Sequence, residues 1–118
     1  MCLVPHRNTW QKSTITRIAE EFMNEPVAIY QGIHGGRLPK SGSFLSVDKE
    51  NIVVSTIKLS EKGNDPVIRC VETMGEPVTA TLDLPFAGKK WTGTFRPCEI
   101  KTLRLMKDGI REVNLLEE

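Results

Sequence analysis

The chain is poor in aromatic side chains, with two Trp, one Tyr and four Phe making up 6% of its 118 residues. A broad sugar-stacking platform has few residues to draw on. Trp10 and Trp91 are the candidates for one, beside the ordinary use of scattered aromatics in a core. Histidine is scarcer still, with only His6 and His34. The three cysteines, Cys2, Cys70 and Cys98, are odd in number and widely spaced. That excludes a disulfide framework and any Cys pair at metal-ligand spacing. Reduced thiols are expected, with Cys70 and Cys98 serving as small hydrophobes on strands, and no metal site is built within this chain. Charge of one sign is also lacking: 16 Lys and Arg against 15 Asp and Glu leave a net +1. No bulk electrostatic case exists for nucleic acid or an anionic membrane. No apolar run reaches eighteen residues, so no membrane-spanning helix is expected. The start, Met1 to His6, lacks the basic and apolar regions of a secretory signal, and a cytoplasmic setting is the expectation.

What is present is a globular composition, 39% hydrophobic and 26% charged, in 13.3 kDa. That is one ordinary domain, whose folded surface scales to about 6,500 Å² against about 19,000 Å² for the extended chain. A core is possible without staples.

One segment has helical period. Ile15, Ile18, Ala19 and Phe22 fall at i, i+3, i+4 and i+7, with Ser13 or Thr14 able to cap and Pro26 ending the helix near Asn24. A short surface helix over about 14–24, laid on a sheet, is expected. The rest reads as strands. Val78, Ala80, Leu82 and Leu84 alternate with Thr79, Thr81 and Asp83. Asn51 to Leu59 is apolar on both faces, as an interior strand would be, and Val67 to Thr73 follows after the turn chemistry of Lys62 to Pro66. Further strands are expected at Lys90–Phe95, Glu99–Met106 and Ile110–Leu116, with a break at Pro97, and shorter ones at Val27–Gln31 and Ser43–Val47. Turns every eight to twelve residues after Asp48 fit an antiparallel sandwich. The fold class is therefore all-β, an antiparallel β-sandwich with one short N-terminal helix. Residues 1–31 form a lead-in carrying the helix, 32–42 a loop and 43–118 the sandwich.

Chemistry-bearing motifs are few. The run Gly32 to Arg37 lacks the spacing of a phosphate loop, and its glycines suit an irregular loop. His34 and Arg37 are the candidates there for ligand contact. A glycosidase needs two facing carboxyl groups, one with a raised pKa. The acidic residues sit instead in turns, on the helix or at the C-terminus, and Glu99 is expected to face solvent by strand alternation. No Ser or Cys lies in the setting of an activated nucleophile.

Several runs taken in order resemble one family. Ser43 to Lys58 (SFLSVDKENIVVSTIK), Gly75 to Leu82 (GEPVTATL), Arg96 to Leu105 (RPCEIKTLRL) and Arg111 to Glu117 (REVNLLE) resemble the C-terminal end of glycoside hydrolase family 38, the α-mannosidases. Val4-Pro5-His6-Arg7 with Trp10, and Ala19 to Pro26, are similar to the family's approach to that domain. The resemblance implies a non-catalytic C-terminal β-sandwich whose partners are the catalytic and middle domains of a longer parent, which hydrolyses terminal α-mannosides. It implies for that parent an N-terminal domain with zinc held by Asp and His and an Asp nucleophile, acting with retention. None of those motifs occurs here, so no catalytic residue, metal ligand or cofactor is carried onto this chain. The strand Glu99–Met106 becomes a central rib, with Ile100, Leu103 and Leu105 in the core, and a homo-oligomer through the exposed contact surface is an expectation. The alternatives are a free-standing carbohydrate-binding or protein-interaction module, and the remnant of a disrupted gene.

Overall fold

Period-two alternation from Ile52 onward becomes two antiparallel sheets in the computed structural model, which describes all 118 residues. The strands are β1 (Ser46–Val47), β2 (Ile52–Leu59), β3 (Pro66–Glu72), β4 (Val78–Leu84), β5 (Lys89–Phe95), β6 (Ile100–Met106) and β7 (Gly109–Val113). One sheet has the order β1-β4-β5 and the other β2-β3-β6-β7. Ala80, Leu82 and Leu84 of β4 and Phe95 of β5 form the inner face of the first. Ile52, Ile68, Cys70 and Leu103 supply that of the second, so each sheet covers the other's apolar side. This is the expected all-β sandwich.

The three-stranded sheet follows its sequence closely. Opposite the buried row of β4, Thr79 and Thr81 face solvent and their hydroxyls meet those of Thr94 and Thr92 at 2.9 and 3.0 Å. Trp91 pairs with Leu82, stands edge-on to Phe95 at 5.9 Å between ring centroids, and folds back over Gly93. A Cβ at Gly93 would lie 2.3 Å from that ring, so the indole can pack there only because the position has no side chain.

In the other sheet, several expectations need correction. β2 is an edge strand rather than an interior one, paired only with β3. Its apolar residues on both faces do not demand two neighbours: Ile57 and Leu59 remain 63% and 61% exposed where the smaller sheet does not reach. Ile100 shares a face with Val71 on the outside of the sheet and is exposed, while Leu103 is fully buried. Cys98 lies in a turn before β6, exposed and at φ 56°, because Pro97 interrupts the strand. Cys70 is buried on β3 as expected. The last strand stops at Val113, and residues 114–118 turn back across the sheet: the Glu117 amide donates to the Asn114 carbonyl, and the Asn114 side chain accepts from the amides of Leu116 and Glu118.

The N-terminal third behaves differently. The helix α1 spans Ile15–Met23, close to the expected bounds, but neither Ser13 nor Thr14 caps it. The Ser13 hydroxyl instead donates to the Trp10 carbonyl of a preceding single 3-10 turn, Trp10–Lys12. Arg17, Glu20 and Glu21, the polar side of α1, face β1 and β2 across a cleft, so the helix does not lay its apolar stripe on the sheet as expected. Val27–Gln31 forms no strand, since no neighbour offers a ladder to it, and Val27, Ile29 and Tyr30 stay exposed. All thirteen buried residues lie between Ile52 and Glu117. The accessible surface of 9142 Å² accordingly exceeds the roughly 6,500 Å² typical of a compact protein of this mass.

Candidate functional site

The four residues singled out for ligand contact lie in separate settings. His34 and Arg37 are exposed in the irregular segment between α1 and β1, and the His34 ring nitrogen Nδ1 lies 3.0 Å from the carbonyl oxygen of the next residue, Gly35. Trp10 is exposed in its 3-10 turn, whereas Trp91 is half-buried against the core. Neither of the two aromatic pairs, Trp91–Phe95 and Phe44–Phe86, includes Trp10.

Three carboxylates are drawn largely out of solvent and held by donors of the chain. Glu72, 1% exposed, ends β3 on the inward side, following Ile68 and Cys70 at intervals of two. Its Oε1 accepts from the Met74 amide at 2.8 Å and the Asn51 side chain at 3.0 Å. Its Oε2 accepts from the amides of Gly75 at 2.8 Å and Cys98 at 2.9 Å. One side chain thus ties the β3–β4 turn, the β5–β6 turn and the start of β2 together. Burial pushes its carboxyl upward, but those four donors outweigh burial and hold it below the usual range.

Glu99 is turned back onto the chain rather than into solvent, which corrects the expectation from alternation. Its carboxylate accepts from the Arg96 amide at 2.7 Å and Nε at 3.2 Å, and Lys101 Nζ lies 3.7 Å away. The Arg96 amide is the main cause that lowers its pKa, against the opposing effect of burial. Glu117, 5% exposed, is held by Lys58 Nζ at 2.7 Å and accepts from the Glu61 amide at 2.7 Å, with Arg69 Nη2 at 4.0 Å. The Lys58 contact is the largest cause of its lowered pKa, and Lys58 is raised in turn by Glu117 and Glu61.

The chemical consequence is definite. A glycosidase acid requires a carboxyl held protonated near neutral pH. All three of these are pushed the other way, each consumed by donors from its own chain. Their arrangement anchors turns and a terminus. The family resemblance attaches zinc to a catalytic domain, and this chain offers no matching donor set: no three His, Cys, Asp or Glu side chains converge. The Cys70 thiol, pushed up to about 12 by burial, is inert packing.

One apolar groove and one of mixed lining stand outside the core. A groove of about 450 Å³ is lined wholly by apolar side chains, Ile15, Ile18, Ala19, Phe22 and Met23 of α1 with Cys2 and Val4. A shallower one, about 240 Å³, is flanked by Phe44 and Phe86, whose rings lie 4.3 Å apart, and by Leu38. No helix is long and apolar enough to cross a membrane.

These observations define a β-sandwich module whose charged side chains brace the fold and whose apolar helix face lines an open groove with Cys2 and Val4. Residues 51–118, more than half the chain and all of β2 to β7, match the family model described as the glycosyl hydrolases family 38 C-terminal beta sandwich domain. The chain belongs to that family, and a domain of this kind implies association with the other domains of a glycosidase. No curated protein and no solved structure matches it.

Proposed function

We propose that this chain is the non-catalytic C-terminal β-sandwich of an α-mannosidase. In this reading it supports the catalytic and middle domains of a zinc-dependent retaining enzyme that hydrolyses terminal α-mannosides, in the cytoplasm. The family match over residues 51–118 carries the reading. The buried carboxylates favour a bracing role over catalysis, because their donors hold them ionised. The apolar groove on α1 supports a covering domain, since an amphipathic helix is stable chiefly when its stripe is packed. His34, Arg37, Trp10 and Trp91 are then candidates for contact with neighbouring domains or glycan.

The test is the mass of the native gene product, read with an antibody to this chain on a denaturing gel of source-cell lysate. A band several times heavier than 13.3 kDa is expected. A band at the calculated mass, together with hydrolysis of an aryl α-mannoside by the purified chain supplied with zinc, would overturn the assignment. A blank assay with the light band would point to a free-standing module, to be titrated with mannosides.

A further inference from the structure

The outer face of the four-stranded sheet concentrates positive charge. By register, Thr56 pairs with Arg69 and Arg69 with Thr102; Lys58 pairs with Val67, Val67 with Arg104, and Arg104 with Arg111. Lys58, Arg69, Arg104 and Arg111 therefore share one face, with two arginines directly opposite each other, an arrangement that disfavours the bare sheet. Residues 114–118 cover part of it. Glu117 supplies the carboxylate between Lys58 and the Glu61 amide, Arg69 Nη2 donates to the Leu115 carbonyl at 3.0 Å, and Arg104 Nη1 donates to the Glu117 carbonyl at 3.4 Å. Val67 beneath is wholly buried.

The tail's own large apolar side chains add little to its hold: Leu115 and Leu116 are 57% and 75% exposed. It also leaves the seat unfinished. The buried Arg69 Nε and the hydroxyl of Thr102, a residue 2% exposed, find no hydrogen-bond partner. Asp65 pairs with Arg104 at 2.8 Å, but Arg111 has no ion-pair partner. A segment that sets one carboxylate at Lys58 and another at Arg111 would satisfy a charge that the tail does not reach.

We propose that this face is a binding site for an acidic peptide segment of a partner polypeptide, and that residues 114–118 occupy it as an intramolecular stand-in. Two features identify the ligand as a peptide: the seat reads two main-chain carbonyls as well as a carboxylate, and its charge is complementary. Because the tail is tethered, its effective concentration is on the order of millimolar, so a partner must offer better contacts to displace it.

The probe is a fluorescent peptide copying Val113 to Glu118, titrated into the unaltered 118-residue chain and its Glu117→Lys variant. Lysine at 117 is repelled by Lys58 and Arg69 and frees the seat, while Trp91 fluorescence reports that the sandwich is intact. The variant is expected to bind the peptide at least tenfold more tightly than the unaltered chain. Binding should weaken several-fold between 50 and 500 mM salt and fall again with Arg69→Ala, which removes the donor to the Leu115 carbonyl. Equal binding to both chains, or none to a folded variant, overturns the proposal. Should the variant unfold, hydrogen exchange on the unaltered chain decides. The Glu61 amide, bonded to the tail, is expected to exchange at least tenfold faster than the Gly75 amide bonded to Glu72, and faster still in salt. Equal, salt-independent protection overturns it.

Discussion

Residues 1–45 and residues 46–118 both carry ordered apolar patterns, yet only the second set is buried. Ile15, Ile18 and Phe22 are spaced as regularly along α1 as Ala80, Leu82 and Leu84 are along β4. The β4 residues are covered because the opposite sheet brings Ile68, Cys70 and Leu103 to meet them. The helix stripe meets only Cys2 and Val4. An amphipathic pattern states that a surface wants covering. Burial requires a second apolar surface within reach of the same chain, and the N-terminal third has too little of one.

The sharpest way to break this contrast is truncation within the core. Phe95→Ala is expected to cost about 3–5 kcal/mol and Leu82→Ala or Leu103→Ala about 2–5 kcal/mol, read as shifts in the urea midpoint. Glu72→Ala should cost about 3 kcal/mol, because three backbone amides lose their acceptor together. If it is silent, the carboxylate does not tie the turns. Gly93→Ala should cost about 1–3 kcal/mol by displacing Trp91, visible as a change in its fluorescence.

Acid titration sharpens the electrostatic side. Glu72, Glu99 and Glu117 are all lowered in the folded state, so the stability they supply is present above the unfolded carboxylate pKa and lost as pH falls through their folded values. The thermal midpoint should therefore drop below about pH 4.5, near the ordinary glutamate range, and Glu72→Gln should flatten that drop. Lys58, raised in the fold, acts at the other end: its contribution is lost as pH rises above its ordinary value of 10.5. The smallest effect is expected in the N-terminal third, where Phe22→Ala should change the stability of the isolated chain by less than about 0.5 kcal/mol. A cost comparable to that of Leu82→Ala would show that the helix is already packed.

Much of the sandwich was legible residue by residue. β4 alternates so strictly that its facing is unambiguous, and the turns at Lys62–Pro66 and Gly75–Pro77 carry the glycine and proline chemistry that reverses a chain. Glu72 was legible in hindsight, since it continues the inward parity of Ile68 and Cys70, and a carboxylate at such a position must find donors. Glu117 carried no such signal. Its partners Lys58 and Arg69 are distant in sequence, and nothing local distinguishes it from Glu118. Val27–Gln31 and Asn51–Leu59 misled for a related reason. β-propensity describes how a residue fits a pleated surface and does not say whether a neighbouring strand exists on either side.

By itself, then, the sequence determined the period-two strands, the bounds of α1, the turns between β2 and β4, the fully buried places of Leu82 and Leu103, and the family to which residues 51–118 belong. Only the tertiary structure decided that β2 lies at an edge, that α1 turns its apolar stripe away from the sheets, and that the tail closes over Lys58 and Arg69. The division has one cause. Alternation, capping and turn chemistry act between near neighbours, whereas edge position, covering and carboxylate pairing depend on groups that the fold alone brings together.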